Sequence, residues 1–179
     1  MIAVLLGEGF EETEAIAPYD LLKRAGVDVR FVGVGGDMIT GSHGIRVASE
    51  LSLSQLDERD VEMIVLPGGL RGVQTLSESE AAMQFTKKLW DNGRYVAAIC
   101  AAPTILAKLG ITDGKAATCY PGMEGDMGSA KMQHASVVTD GRLITGRAAG
   151  SAMDFGLALV AALKGESAAK KIAAVVVYG

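Results

Sequence analysis

Cys100 has the sequence setting best suited to chemistry. It follows the apolar run Val96-Ala97-Ala98-Ile99 and precedes Ala101-Ala102-Pro103-Thr104. A buried-type strand therefore enters a helix with almost no loop, and Cys100 occupies the turn. A strand-turn-helix elbow of this kind exposes a side chain at the top of a sheet. The start of a helix offers unpaired N–H groups and a partial positive charge, which favour a thiolate and lower its pKa. The same N–H groups suit an oxyanion during carbonyl chemistry. Gly68 and Gly69 follow another apolar run, Met63 to Leu66. Lacking side chains, they let a second backbone N–H approach. The competing reading is an inert, buried cysteine serving as a small apolar residue. Cys119 lies in no comparable turn and reads as structural.

A partner for the thiol is sought among Glu8, Glu11, Glu12 and Glu14, which crowd the stretch after the first apolar run. Acids in a first helical turn complement the helix dipole and need no further role. A carboxyl beside a thiolate is different. Burial and like charge raise its pKa, so that it holds or shuttles a proton near neutral pH. Spacing does not choose among the four.

The elements that must position these residues follow from apolar patterning. Met1 to Leu6 reads as a strand. Glu11 to Ala25 reads as a helix burying Ile16, Leu21 and Leu22, with Pro18 marking a kink or the true first turn and Gly26 ending it. Val27 to Val34, Met63 to Leu66 and Tyr95 to Ile99 read as further strands. Ser77 to Trp90 reads as a helix with Ser77 as N-cap and Glu80 completing a capping box. Thr104 to Leu109 and Ala152 to Leu163 are further helices, and Asp140-Gly141 is a turn between Ser136–Val138 and Leu143–Thr145. Strands alternating with helices imply an α/β fold, with a mostly parallel sheet covered on both faces. Sites in such sheets form at the carboxyl ends of the strands. Gly7 to Glu14, Pro67 to Gly72 and Cys100 to Pro103 each follow a strand, so all three are expected on one edge.

Bulk properties narrow the function classes. The 179 residues suit one domain spanning 1–179, with 49% apolar residues and a net charge of −4. No basic cluster marks a nucleic-acid surface, and no apolar run is long enough for a membrane span. The N-terminus lacks the basic region and cleavage site of a signal peptide, so a cytoplasmic location with two reduced cysteines is expected. No Cys/His spacing suggests a metal, and Gly33-Val34-Gly35-Gly36 lacks the dinucleotide fingerprint, so no cofactor is expected.

Glu11-Glu12-Thr13-Glu14, Pro18, Arg24-Ala25-Gly26, Val65-Leu66-Pro67-Gly68-Gly69 and Ala98-Ile99-Cys100-Ala101-Ala102-Pro103 occur in this order along the chain. Taken together, these segments resemble the ThiJ/PfpI superfamily, in the branch containing the parkinsonism-associated protein deglycase. The tail from Thr145-Gly146-Arg147 to Tyr178 also fits. The resemblance implies a flavodoxin-like three-layer sandwich and a homodimer. It implies Cys100 as the reactive thiol, Glu14 as its protonated carboxyl partner, and the backbone N–H groups of Gly69 and Ala101 as oxyanion donors. Arg24 is implied near the dimer interface and the site, and His43 near the same interface.

Two departures refine what the resemblance implies. Protease-like members carry a histidine directly after the cysteine, whereas Ala101 stands here, which argues against a peptidase or small-amide hydrolase. Cys119-Tyr120-Pro121 occupies a stretch where this branch often has a histidine, so Tyr120 takes the place of the imidazole. The expected activity is a cofactor-independent glyoxalase or deglycase acting on small reactive dicarbonyls such as methylglyoxal. The alternative is a redox-responsive stress protein or chaperone that senses peroxide through Cys100. His134 reads as a solvated surface residue.

Overall fold

The computed structural model describes residues 1–179. In chain order the elements are β1 (Ile2–Gly7), α1 (Glu12–Arg24), β2 (Val29–Val34), β3 (Met38–Thr40), β4 (Arg46–Ala48) and β5 (Leu51–Ser52). Next come β6 (Met63–Leu66), α2 (Leu70–Glu78), α3 (Glu80–Asp91), β7 (Tyr95–Ile99), α4 (Pro103–Lys108), β8 (Ala116–Ala117) and β9 (Lys131–Met132). The chain closes with β10 (Val137–Asp140), β11 (Leu143–Gly146), α5 (Ala152–Lys164) and α6 (Glu166–Val175).

Seven strands form one sheet in the order β10-β11-β7-β6-β1-β2-β5. Every neighbouring pair is parallel except β10 with β11, which fold back at Gly141 (φ +63°) as the Asp140-Gly141 turn predicts. Alternation along β1 shows why both faces are covered. Ile2, Val4 and Leu6 pack with Leu21 and Leu22 of α1 and Phe155 and Leu159 of α5. Ala3 and Leu5 face the other way, onto Val73 and Leu76 of α2, Leu89 of α3 and Ile105 of α4. The central strands are apolar at every position because both of their faces are interior.

The expected helix and strand boundaries hold with instructive exceptions. Pro18 does not start α1; it lies inside the helix, which begins at Glu12. Ile16 is 38% exposed, whereas Leu21 and Leu22 are buried as expected. Gly26 ends α1 in the left-handed conformation, and its N–H and that of Val27 close on Lys23 and Leu22 carbonyls, both at 3.0 Å. Because the Val27 N–H is spent on that cap, β2 starts later, at Val29. Ser77 is not an N-cap. It lies in the last turn of α2, a helix that the sequence pattern does not signal, and Ser79 caps α3 by accepting the Ala82 N–H at 3.2 Å. The β3–β4 hairpin and α6 had no distinct sequence signal either.

Candidate active site

The strand order sets the site. β11, β7, β6 and β1 are consecutive in the sheet, so the segments following them line one edge in that order. The expected convergence of Gly7–Glu14, Pro67–Gly72 and Cys100–Pro103 is therefore met, with Cys100 between the Gly68-Gly69 turn on one side and Arg147 on the other.

Cys100 adopts φ +66°, a left-handed conformation that non-glycine residues rarely take. Its backbone is held from both sides. Its N–H donates to the Gly146 carbonyl at 3.0 Å, and its carbonyl accepts the Tyr120 N–H at 2.7 Å. These bonds sustain a conformation that costs on the order of 1–3 kcal/mol elsewhere. The result is a half-buried thiol turned out of the strand line, toward which the backbone N–H groups of Gly69 and Ala101 donate.

Gly68 is the joint between thiol and carboxyl. Its N–H donates to Glu14 Oε2 at 2.9 Å and its carbonyl accepts the Glu11 N–H at 2.9 Å. A Cβ on Gly68 would lie 2.4 Å from Glu14 Oε2 and 2.7 Å from Cys100 Cβ. Only glycine fits there. Gly69, at φ +86°, is equally confined, since a Cβ would meet the Gly9 carbonyl oxygen at 2.5 Å. Glu14 itself is 1% exposed, and its Oε1 has no N–H or hydroxyl partner.

Burial pushes the Glu14 carboxyl up to about 7. Hydrogen bonding with Cys100 and Gly68 opposes the shift and the charge of Glu11 adds to it. Of the four acids after β1, Glu14 is thus singled out as able to hold a proton near neutral pH. The expected lowering of the thiol pKa is not what this environment produces. Burial, then the adjacent Glu14 charge, push Cys100 up to about 12, and the Ala101 and Gly69 N–H groups offset this only in part. The reason is positional. α4 begins at Pro103 and has only six residues, so Cys100 stands before the helix rather than on its first turn. In the resting pair, the proton sits on sulfur more readily than on the carboxyl.

The other singled-out residues fall at varying distances from this pair. Tyr120 is tied to Cys100 through its backbone, and the residue is 48% exposed. Cys119 is 2% exposed and packs with Ala117 and Met127, an apolar cluster separate from those that Cys100 joins. Arg24 lies ten residues beyond Glu14 on α1, about 15 Å along the helix axis. It pairs with Asp20 at 2.6 Å and does not reach the thiol of its own chain. His43 is exposed, with Nδ1 2.9 Å from Glu12 Oε2. His134 is exposed and faces Arg147, so neither histidine joins Cys100.

Glu12, one of the four candidate acids, has a role that the sequence does not signal. It is 4% exposed, and its oxygens accept from the His43 and Ile45 N–H groups, the Ser42 hydroxyl and His43 Nδ1. Burial would raise its pKa, but these bonds outweigh burial and hold it at about 2. Glu11, Glu12 and His43 bring ligand atoms within 4.8 Å of one another. The Glu12 oxygens are nevertheless already engaged, and the cluster acts as a clamp that fastens the β3–β4 turn to α1. Gly41 makes room for it, since a Cβ there would lie 2.3 Å from Glu12 Oε1.

Comparison with known proteins agrees with this geometry. The family model described as DJ-1/PfpI family matches residues 1–162. Protein dj-1beta of Drosophila melanogaster is 36% identical over 173 residues, covering 95% of this chain and 92% of that protein. A Pyrococcus abyssi protein named deglycase is 34% identical over 151 residues, covering 83% and 90%. The crystal structure of Drosophila melanogaster DJ-1beta superposes with a TM-score of 0.93 at 35% identity, covering 99% of this chain and 97% of that one. A mutant DJ-1 superfamily protein from Salmonella typhimurium gives 0.94 at 30% identity, covering 99% and 98%. With the flavodoxin-like sandwich, the thiol elbow and these relatives in agreement, the chain belongs to the DJ-1/PfpI family.

Proposed function

We propose that this protein is a cysteine-dependent, cofactor-independent glyoxalase or deglycase acting on small reactive dicarbonyls such as methylglyoxal. The observation that carries the reading is the pairing of a strained Cys100 with a buried Glu14 poised at about 7. The relatives named deglycase point to the same class.

The Cys100 sulfur attacks the aldehyde carbon of methylglyoxal. As the S–C bond forms, the thiol proton passes to Glu14, which removes the cost of a free thiolate in a site that disfavours one. The aldehyde oxygen takes the negative charge and is met by the Gly69 and Ala101 N–H groups. Glu14 protonates it to the hemithioacetal and removes the proton from that carbon. It returns a proton to the neighbouring carbon, so the ketone is reduced as the thiol-bearing carbon is oxidised. The resulting thioester is hydrolysed by water to lactate, and Cys100 is restored. No external oxidant or reductant enters the balance. For a glycated amine, the sulfur displaces the amine at the hemiaminal carbon: the S–C bond forms, the C–N bond breaks, the thiol proton leaves with the amine by way of Glu14, and the same hemithioacetal results.

The test is lactate formation from methylglyoxal in glutathione-free buffer. Wild-type protein is expected to give it and Cys100→Ala to give none; equal rates in both would overturn the proposal.

A second reading is favoured by the contrast between the half-buried Cys100 and the 2% exposed Cys119. One peroxide converts the Cys100 thiol to sulfenate with loss of water, and a second gives sulfinate, an anion suited to the N–H donors and a protonated Glu14. Mass spectrometry after mild peroxide should place the added oxygens on Cys100; oxygens on Cys119 alone would exclude it. We also propose a homodimer through the face carrying Arg24 and His43. Ile16 and Ile45, 38% and 52% exposed, supply apolar surface beside Glu12 on that side. Light scattering giving a monomer mass would refute this.

A further inference from the structure

The edge that holds Cys100 also carries a cation that none of the preceding steps uses. β11 runs parallel to β7 with Gly146 opposite Ile99, so Arg147 stands level with Cys100 one residue past the end of the ladder. Its main chain is pinned there by the Arg147 N–H to the Ser136 carbonyl at 2.9 Å and by the Gly146 carbonyl to the Cys100 N–H.

The guanidinium lacks an oxygen partner. The other half-buried arginines all have one. Arg30 pairs with Asp28 and Glu50, Arg94 donates to the Arg59 carbonyl, and Arg142 donates to the Trp90 and Arg94 carbonyls. Arg147 forms no salt bridge, and its Nη1 meets only His134 Nδ1, at 3.4 Å. The guanidinium has no lone pair to offer, so in this contact it can only donate. Its charge acts on Cys119 and on Glu124, and Glu124 is occupied by the Gly122 N–H at 2.8 Å. A partly desolvated guanidinium with free donors is a costly arrangement unless an anion completes it, and its planar fork matches a carboxylate in two parallel bonds.

We propose that Arg147 is a specificity-determining residue that binds a carboxylate on the molecule reacting at Cys100, so that the preferred substrates are carbonyl compounds or adducts bearing a carboxylate. The inference rests on the reading of Cys100 as the nucleophile. The carboxylate has two sources with one chemistry: the substrate's own, or that of the hydroxy acid formed.

Alkylation tests the anion site without relying on turnover. Iodoacetate and iodoacetamide both form an S–C bond at Cys100 and expel iodide, but only iodoacetate carries a carboxylate. The ratio of their rates, normalised to free cysteine, should fall about tenfold in Arg147→Gln. It should be partly retained in Arg147→Lys and stay at the wild-type value in Arg59→Gln, which removes a distant positive charge. A ratio in Arg147→Gln equal to wild type overturns the proposal. A fall in Arg147→Lys as large as in Arg147→Gln would also count against a role for the charge.

Two further measurements separate the sources. A KM higher for the methylglyoxal adduct of N-acetylcysteine amide than for that of N-acetylcysteine, with the gap closed in Arg147→Gln, assigns a substrate carboxylate. Competitive inhibition by lactate that disappears in Arg147→Gln assigns the product. If wild-type protein makes no lactate yet shows the alkylation preference, the anion site stands and the dicarbonyl reading falls. If it makes lactate but shows no alkylation preference, the dicarbonyl reading stands and the anion site falls.

Discussion

Glu14 and Cys100 meet across a single glycine. The Glu14 carboxyl is held by the Gly68 N–H at 2.9 Å and lies beside the Cys100 thiol, while a Cβ on Gly68 would collide with both residues. Burial raises both pKa values, and the Glu14 charge adds to the rise at Cys100 while the thiol opposes the rise at Glu14, so the two act as a unit with one readily moved proton. This arrangement favours proton transfer in step with attack over a standing thiolate.

The first prediction concerns thiol reactivity. With Glu14 ionised, Cys100 is pushed up to about 12, so wild-type alkylation should rise steadily with pH through the neutral range and show no plateau there. Glu14→Gln removes the like charge and should shift the reactive range to lower pH. Iodoacetamide rates measured from pH 6 to 10 check this, and an unshifted profile in the variant would show the two groups to be uncoupled.

Stability should depend on pH through the same carboxyl. Glu14 titrates at about 7 in the folded chain against an ordinary value of 4.5. Its raised folded pKa contributes stability that is fully present below pH 4.5 and is lost as pH rises through 7. The loss is up to about 3 kcal/mol by linkage. Urea denaturation at pH 5 and pH 8 should show a larger loss in wild type than in Glu14→Gln. Equal losses would mean that Glu14 is not buried in this way.

Glu12 should show the opposite sign. Its carboxyl is held at about 2, so its contribution is present above pH 4.5 and lost as pH falls toward 2. Glu12→Ala leaves the His43 and Ile45 N–H groups without their acceptor and should cost about 2 kcal/mol. Hydrogen exchange at those two amides should accelerate, while the central strands keep their protection relative to global stability.

Gly68→Ala tests steric fit alone, because Gly68 is not in the left-handed region. The added methyl would be driven between Glu14 Oε2 and Cys100 Cβ. We expect about 1–3 kcal/mol of destabilisation and loss of lactate formation. A crystal structure of the variant should show Glu14 displaced from the residue 68 N–H.

Much of this site is legible in the sequence. A buried apolar run stopping at Cys100 and restarting as a helix defines the elbow, because period and composition report local backbone shape. The left-handed φ of Cys100 is its three-dimensional form. The family segments selected Glu14 among four acids, and burial explains the choice, since Glu14 is the one pushed up to about 7. Local pattern also misled. Ser77 has a capping-box spacing, yet the chain is already helical from Leu70, and Ser79 takes the cap.

The long strands β1, β2, β6, β7 and β11, the α/β class, the thiol turn and the glycines that allow close approach are legible in the sequence, because each is encoded over a few adjacent residues. Only the tertiary structure decided the electrostatics. The strand order placed Arg147 level with Cys100, the β3–β4 turn consumed Glu12, and desolvation rather than the helix terminus set the thiol's state. Proton affinity depends on every group within a few ångströms, whatever its distance along the chain, and that neighbourhood exists only after the sheet has assembled.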